Sequence, residues 1–275
     1  MAISVTQTTK ANRTHTLYLL EGRAVTDRLE QIRRYIEENK RVEVVEISRH
    51  FNVSVATARR KLDQLAEIGG IERIHGGARL VREAPPEPPV LLRRNDLIDE
   101  KMRIAKVAAA LINDGDTVLM GGGTTVYEVA KKLNEKSGIT VITNSFLVIE
   151  ALSTNRDIHL ITLGGVFRNT EMVSYGHITE EALNELYASK VIFGIRAISL
   201  EHGLTNDYPP ELTTDRMILR KGKEIIVVAD HTKFNRVSTS LIGELSLAHK
   251  IVTDDKAPPE TIKAIQMLGI EVIIA

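Results

Sequence analysis

A cluster of prolines divides this chain into two parts that follow different sequence patterns. Four of the five residues from Pro85 to Pro89 are proline, and such a run removes backbone donors and favours an extended, semi-rigid spacer. Before the spacer, apolar residues follow a helical period, whereas after it short β-branched runs alternate with amphipathic helices. The second pattern is typical of an open, mostly parallel α/β sheet. We therefore predict a small helical N-terminal domain and a larger α/β domain.

These patterns also set the predicted boundaries. Residues 1–25 form a polar, flexible leader, 26–83 the small domain, 84–98 the proline-rich linker and 99–275 the larger domain. The chain has no cysteine, which excludes disulfides, thiolate zinc sites and cysteine nucleophiles. No apolar run approaches the roughly 20 residues that span a bilayer. We expect a cytoplasmic protein with no membrane partner.

Charge is balanced over the whole chain but not within the small domain. The 36 basic and 36 acidic residues cancel, so the net charge does not predict a nucleic-acid partner. Between Arg49 and Arg82, however, seven Arg and Lys residues stand against three Asp and Glu residues. This local excess of positive charge is a modest basic patch, which suits contact with phosphates.

The small domain has the spacing of a helix-turn-helix. Thr26 is placed to cap a first helix, residues 44–51 form a short second helix, and Ser54 follows a turn and caps a third. At about 100° per residue, the third helix turns a small and basic face away from its apolar stripe. Arg on such a face can pair with guanine in the major groove, and Ala or Thr can touch a thymine methyl. The candidate residues are Ser54, Ala56, Thr57, Arg59, Arg60 and Lys61.

A short wing is predicted after the third helix. Residues 71–75 alternate like a strand and end at two glycines, which places Arg73, His75 and Arg79 to contact phosphates. An isolated basic run is more often the solvated face of an ordinary helix. The capped turn, the short second helix and the wing together favour DNA reading.

In the larger domain, the candidate binding residues lie in loops that follow predicted strands. Asp99 is placed to cap the first helix of this domain. After a strand at 117–120, the glycines and threonines of 121–125 lead directly into a helix, and a helix N-terminus with bare amides is favourable for phosphate. Parallel strands would gather such loops at one edge, where open α/β sheets bind ligands. The candidate effector-binding residues are Gly122, Gly123, Thr124, Thr125, Thr143, Asn144, Ser145, Gly164, Gly165, Arg168, Arg196, Asp230 and Lys233.

Several of these residues also have purely structural interpretations. Three glycines can simply ease a tight turn, and Asp230 and Lys233 can pair with each other or cap the next turn. Arg196 can read a second anionic group, or it can pair with Asp207 or Glu211 and rebuild the pocket wall. The histidines lack metal-ligand spacing, and we predict no cofactor, metal or catalytic residue.

The motifs of the small domain resemble those of the DeoR family of bacterial regulators. Residues 53–62, followed by 73–78, are closely similar to the family's DNA-binding signature. Lys61 stands where the family usually has an acidic residue. This resemblance implies a winged helix-turn-helix.

The larger domain resembles the same family in its glycine-Thr-Thr loop, its Thr-Asn-Ser segment, its Gly-Gly pair, and the segments at 203–205 and 230–233. One departure is Arg196, which replaces a common acidic or amide residue. The resemblance extends from about Thr26 to the end of the chain. It implies an effector domain related to ribose-phosphate isomerases and CoA transferases, which senses phosphorylated sugars or their catabolites.

We therefore expect a sequence-specific transcriptional regulator, a repressor of a carbohydrate-catabolism operon, with double-stranded operator DNA and a small phosphorylated sugar-like effector as partners. It would act as a homo-oligomer, a dimer or tetramer. The alternative is a phosphosugar isomerase-like enzyme with an appended DNA-binding domain, in which Asp230 or Glu211 serves as base. Turnover of sugar phosphates would distinguish the enzyme from the sensor.

Overall fold

A computed structural model describes residues 28–68, 71–84 and 87–275 of the chain. The chain divides into two compact units, and the division falls between Val81 and Arg82. The predicted leader at 1–25 and the predicted cap Thr26 lie outside the described residues, as do Gly69 and Gly70.

The small unit consists of helices packed with a short antiparallel sheet. Its core forms because Ile32, Ile36, Ile47, Leu62 and Leu65 recur at helical spacing and are all buried. The three strands are ordered β1-β3-β2. The elements are α1 (residues 28–39), β1 (Arg41–Glu43), α2 (Val44–His50), α3 (Val55–Ile68), β2 (Ile71–Ile74) and β3 (Gly77–Leu80).

The larger unit alternates strands and helices along the chain. Its first half contains β4 (Arg82–Glu83), α4 (Ile98–Ala110), β5 (Thr117–Met120), α5 (Thr124–Leu133), β6 (Thr140–Thr143), α6 (Phe146–Leu152), β7 (His159–Thr162), β8 (Val166–Arg168), β9 (Val173–Tyr175) and α7 (His177–Asn184). Its second half contains β10 (Ala188–Gly194), β11 (Ala197–Ser199), β12 (Gly203–Asn206), α8 (Leu212–Arg220), β13 (Gly222–Val228), β14 (Arg236–Val237), β15 (Ser240–Gly243), β16 (Lys250–Thr253), α9 (Pro259–Met267) and β17 (Glu271–Ile274).

Seven of these strands form one parallel sheet in the order β17-β16-β13-β10-β5-β6-β7. Successive side chains of a strand point to opposite faces, so Val118 and Met120 join one buried cluster while Leu119 joins the other. Helices α4 and α5 pack on the face of the sheet that holds Val118 and Met120, and α8 and α9 pack on the face that holds Leu119. The predicted α/β class with a mostly parallel sheet is confirmed.

The strand order reverses direction between β5 and β10. From β5 the chain proceeds through β6 and β7 to one edge, and β10, β13, β16 and β17 then extend to the other edge. Such a reversal opens a crevice at the carboxyl ends of the two central strands, which is where ligands bind in open α/β sheets.

Two local expectations differ from the structure. Asp99 does not cap α4, because Leu97 holds the N-cap position in a left-handed conformation and Asp99 lies within the first turn. The segment from Glu87 onward, assigned above to a linker, packs within the larger unit, since Val90 is fully buried beside Tyr127 and Leu147. The proline content of this segment predicted a spacer, but it did not show that the adjacent Val90 would be buried in a hydrophobic cluster. Within the described residues, no helix combines the length and hydrophobicity needed to cross a bilayer.

Candidate functional site

Helix α3 turns an exposed face of small and basic side chains toward solvent. The helix begins after Ser54, whose Oγ accepts a hydrogen bond from the Thr57 amide at 3.1 Å, so the predicted cap is confirmed. Leu62 belongs to the buried stripe, whereas Arg59 and Arg60 are exposed. Ser54 and Ala56 are also exposed, while Thr57 and Lys61 are half-buried.

The wing differs from the prediction in one strand. Glu72 and Arg79 are directly opposite each other in the β2–β3 pair, and both are buried, with the Arg79 Nη2 2.6 Å from the Glu72 Oε2. The expected alternation therefore fails at Glu72, because a cross-strand ion pair pulls this carboxylate inward. The prediction that Arg79 contacts phosphate is wrong, since its guanidinium is committed to Glu72.

Arg73 and His75 have different environments in the wing. The Arg73 Nε donates to the Asp63 Oδ1 at 2.7 Å, and its Nη1 donates to the Gly77 carbonyl. Arg73 therefore ties α3 to the β2–β3 hairpin. His75 lies exposed at the tip of that hairpin, where a DNA phosphate can approach it.

A polar cavity of about 300 Å³ lies in the larger unit, at the carboxyl ends of the central strands. Its walls come from the loops after β5, β6, β10 and β13, from the segment at 87–101, from the β8–β9 hairpin, and from the stretch between the end of β12 and the first turn of α8. Nine of the thirteen candidate effector residues line it. They are Gly122, Gly123, Thr124, Thr125, Asn144, Arg168, Arg196, Asp230 and Lys233.

The glycine-rich loop delivers the N-terminus of α5 to this cavity. Gly123 occupies the N-cap position with a φ of 108°, a conformation that favours glycine. The chain can therefore turn sharply out of β5 into the helix. Thr124 and Thr125 are buried in its first turn and line the cavity. First-turn amides have no partner within a helix and attract an anion.

The other four candidate residues do not line the cavity. The Thr143 Oγ1 donates to the Met120 carbonyl at 2.8 Å and accepts from the Ser145 amide, so it joins neighbouring strand ends. The Gly164 carbonyl accepts from the Thr179 hydroxyl at 2.6 Å, and Gly165 also lies against Thr179. The Gly-Gly pair accordingly packs on α7. A position at the end of a strand correctly predicted that its loop borders the cavity, but it did not predict whether each side chain points into it.

A cationic group lines one part of the cavity, with the carboxylate of Glu87 at its centre. Glu87 Oε2 lies 2.5 Å from Arg93 Nη1 and 2.9 Å from Arg196 Nη1, and Glu87 Oε1 accepts from Lys233 Nζ. Burial raises the pKa of Glu87, but the Coulombic attraction of the three cations outweighs it and leaves the pKa below its usual value. A negative group is thus strongly favoured at this point.

These contacts bear on the structural interpretations left open above. Arg196 pairs through Nε with Asp207 at 3.1 Å, as one alternative expected, and also with Glu87, which was not expected. Asp230 caps the following turn, since its Oδ1 accepts from the Thr232 amide at 2.9 Å. Lys233 pairs with Glu87 instead of Asp230.

Acidic and amide groups line another part of the cavity. Arg168 donates to Glu211 at 2.9 Å, and Asn206 donates to Asp215 at 2.7 Å. Burial raises the pKa of both carboxyls to about 7. Within the described residues, the buried atoms Glu211 Oε1 and Asn144 Oδ1 have no hydrogen-bond partner, and a ligand hydroxyl would satisfy them.

Sequence reasoning missed much of this lining. The additional charged or polar residues are Glu87, Arg93, Asp96, Lys101, Glu171, Asn206 and Asp215. Three come from the segment assigned to a linker, and the others come from α4, from two hairpins and from α8, so no signal at the end of a parallel strand was present. In the described part of the chain, no cluster of three or more His, Asp or Glu side chains is arranged to hold a metal ion.

Comparisons with known proteins cover both units. Residues 28–84 match the family described as DeoR-like helix-turn-helix domain, and residues 97–255 match the DeoR C terminal sensor domain. The transcriptional repressor AccR of Agrobacterium fabrum is 33% identical over 83% of this chain and 89% of its own length. The glycerol-3-phosphate regulon repressor of Escherichia coli is 32% identical over 85% of this chain and 92% of its own length. The repressor GlcR of Bacillus subtilis is 31% identical over 90% of this chain and 95% of its own length.

Proposed function

The chain belongs to the DeoR family of DNA-binding transcriptional regulators, and from this premise we propose that it represses a carbohydrate-catabolism operon and is controlled by a phosphorylated sugar or related metabolite. The observation that carries the proposal is the cavity at the strand reversal, where a helix N-terminus and cations share a pocket with hydroxyl-binding groups. A phosphorylated polyol carries a phosphate for the helix N-terminus and the cations, and it carries hydroxyls for the hydroxyl-binding groups. The glycerol-3-phosphate regulon named for one relative supports the same class of regulated genes.

Within the cavity, we assign the phosphate to the amides of Gly123, Thr124 and Thr125 and to the neighbouring cations. Charge-assisted hydrogen bonds to phosphate are about twice as strong as neutral ones. The sugar hydroxyls would then donate to oxygens of Asn144 and Glu211 that have no other donor in the described part of the chain.

In the small unit, we propose that the exposed N-terminal half of α3 enters the major groove. Arg60 would read a base edge, Arg59 and Lys61 would approach the backbone, and His75 at the wing tip would contact phosphate. Arg73 would hold the wing against α3 through Asp63. A homo-oligomer of such units would bind half-sites about one helical turn, or a multiple of one, apart, in a cytoplasmic location.

We further propose that the cavity senses its ligand without turning it over. Carboxyls with a pKa near neutrality are compatible with proton transfer as well. Yet Glu211 is paired with Arg168 and Asp215 with Asn206, so both can equally act as hydroxyl acceptors. Membership of a regulator family supports sensing.

The DNA half of the proposal is tested by selecting duplexes from a random library with the purified chain and measuring their Kd by fluorescence anisotropy. Arg60→Ala should cost roughly 1 to 3 kcal/mol and relax sequence preference. Arg34→Ala removes the same charge from the exposed surface of α1 and should leave sequence preference unchanged. An Arg60→Ala chain that retains full affinity and preference would refute the assigned face.

The effector half is tested by adding glycerol 3-phosphate, ribose 5-phosphate or glucose 6-phosphate, each beside its unphosphorylated parent. At least one phosphorylated compound should raise the melting temperature and weaken binding to the selected duplex, and the parents should do neither. Nuclear magnetic resonance of the same mixtures should show unchanged ligand. Steady conversion of any compound would establish the enzyme instead.

A further inference from the structure

The carboxylate of Glu87 occupies a part of the cavity that suits an anionic ligand. It contacts three cationic side chains at once, those of Arg93, Arg196 and Lys233. A phosphate monoester would seek the same cations, and it carries about −1.5 to −2 charges at neutral pH with three strong acceptor oxygens. A carboxylate carries one charge. The cavity therefore contains a weaker anion of its own.

Glu87 is also the carboxylate of this cluster that a ligand can replace. Arg93 donates through Nη2 to Glu171, and Arg196 pairs through Nε with Asp207, in addition to their contacts with Glu87. Both guanidiniums consequently keep a partner when Glu87 departs. The two arginines therefore stay anchored when an incoming anion replaces Glu87.

The position of Glu87 in the chain connects the cavity to the proline-rich segment. Glu87 lies between two pairs of prolines, directly before Pro88 and Pro89. Just before them, β4 pairs in parallel with β14, and the Ala84 amide donates to the Val237 carbonyl at 2.8 Å. Strand β14 begins three residues after Lys233. The segment leading to the DNA-binding unit is thus held by the cavity loop through its backbone and through the Glu87 side chain.

We propose that Glu87 is a built-in competitor of the effector, and that its displacement by the effector's phosphate releases the proline-rich segment and weakens the hold on DNA. This inference rests on the proposed function, because it requires the cavity to bind a phosphorylated ligand. A ligand shifts such an equilibrium only through its different affinities for the two states. Here the difference is supplied by the three cations, which bind Glu87 in one state and the effector's phosphate in the other.

The test compares the full chain with Glu87→Gln, using inorganic phosphate as the probe. Because the amide competes poorly for the cations, phosphate should bind about 5- to 150-fold more tightly, the range typical of coupling between sites. In the absence of phosphate, Glu87→Gln should already bind the selected duplex as weakly as the phosphate-saturated wild-type chain. Calorimetry measures the first quantity and anisotropy the second, in sodium chloride of matched ionic strength, because salt itself weakens DNA binding.

Two further variants make the result specific. Glu271→Gln removes an equal charge from an ion pair with Lys250 that lies outside the cavity lining, and it should leave phosphate-free DNA affinity unchanged. Glu87→Gln combined with Lys233→Met removes a cation together with the carboxylate and guards against a folding defect from unbalanced charge. It should also weaken phosphate-free DNA binding.

The outcomes separate this inference from the function on which it rests. If neither the wild-type chain nor Glu87→Gln binds phosphate, the proposed function and the inference both fail. If both bind phosphate equally, only the competitor role fails. If Glu87→Gln binds phosphate more tightly but retains wild-type DNA affinity, the link to the proline-rich segment is overturned.

Discussion

Asp215 provides a quantitative test of the free-energy cost of ionising a carboxyl group in the cavity. This side chain lies in α8, is buried, and accepts a hydrogen bond from the Asn206 amide group at 2.7 Å. Burial, reinforced by the nearby carboxylate of Glu211, raises its pKa from 3.8 to about 7. Asp215→Asn keeps the size of the side chain and an acceptor for Asn206, and it removes the proton equilibrium. The variant therefore isolates the cost of ionising this position.

The sign of the effect follows from linkage between protonation and folding. The folded chain keeps this proton up to about pH 7, whereas the unfolded chain releases it near its ordinary value of 3.8. The stability contributed by the protonated carboxyl is fully present below pH 3.8 and is lost as the pH rises through 7. One pKa unit corresponds to about 1.4 kcal/mol, so the full loss is on the order of 4 kcal/mol. Between pH 5 and pH 9 the expected part is about 2 to 3 kcal/mol.

The assay is urea unfolding of the full chain, followed by circular dichroism at pH 5, 7 and 9. The free energy of unfolding of Asp215→Asn, minus that of the wild type, should rise by this amount across the range, in the transition of the larger unit. Asp157→Asn carries the same chemical change at an exposed position and serves as the control. A difference for Asp215→Asn that does not vary with pH would refute the assignment of a proton to this carboxyl at neutrality.

Two further substitutions test the positions of the helices and loops. Ser54→Ala should lower the stability of the small unit by about 1 kcal/mol, because the Thr57 amide loses its acceptor, and Ser54→Thr should restore most of it in the same urea titration. Gly165→Ala should lower the melting temperature of the larger unit, because its Cβ would lie 2.1 Å from the Thr179 hydroxyl at a φ of 149°. The adjacent Gly164→Ala, whose Cβ would meet nothing within 4 Å, should be tolerated, and equal melting temperatures for the two variants would contradict this packing.

Features set by neighbouring residues were predictable from the sequence. The cap at Ser54 and the turn at Gly123 depend on a few adjacent positions, and both lie where their local patterns indicate. The parallel sheet followed from the alternation of apolar runs and amphipathic helices, which reports the burial of both sheet faces. Its strand-end loops then had to gather at one edge, and nine of the thirteen candidate residues do line the cavity there.

Features set by distant partners were not predictable in the same way. Arg79 is a basic residue of the wing and has the charge expected of a phosphate contact, but the cross-strand register places it against Glu72. Glu87 sits among prolines, yet its carboxylate meets Lys233, which lies 146 residues later in the chain. Pairings of this kind are decided by tertiary structure, and a single sequence contains no local signal for them.

The distribution of charge in the cavity narrows the chemistry of the proposed effector. One group of residues holds Glu87 as an internal anion, while another holds Glu211 and Asn144, each with a buried oxygen that lacks a hydrogen-bond donor among the described residues. A free sugar would satisfy the oxygens and leave Glu87 on its cations. Inorganic phosphate would replace Glu87 and leave the oxygens without a donor. A small molecule with a phosphate and several hydroxyls satisfies both groups, so its binding energy should exceed that of either fragment.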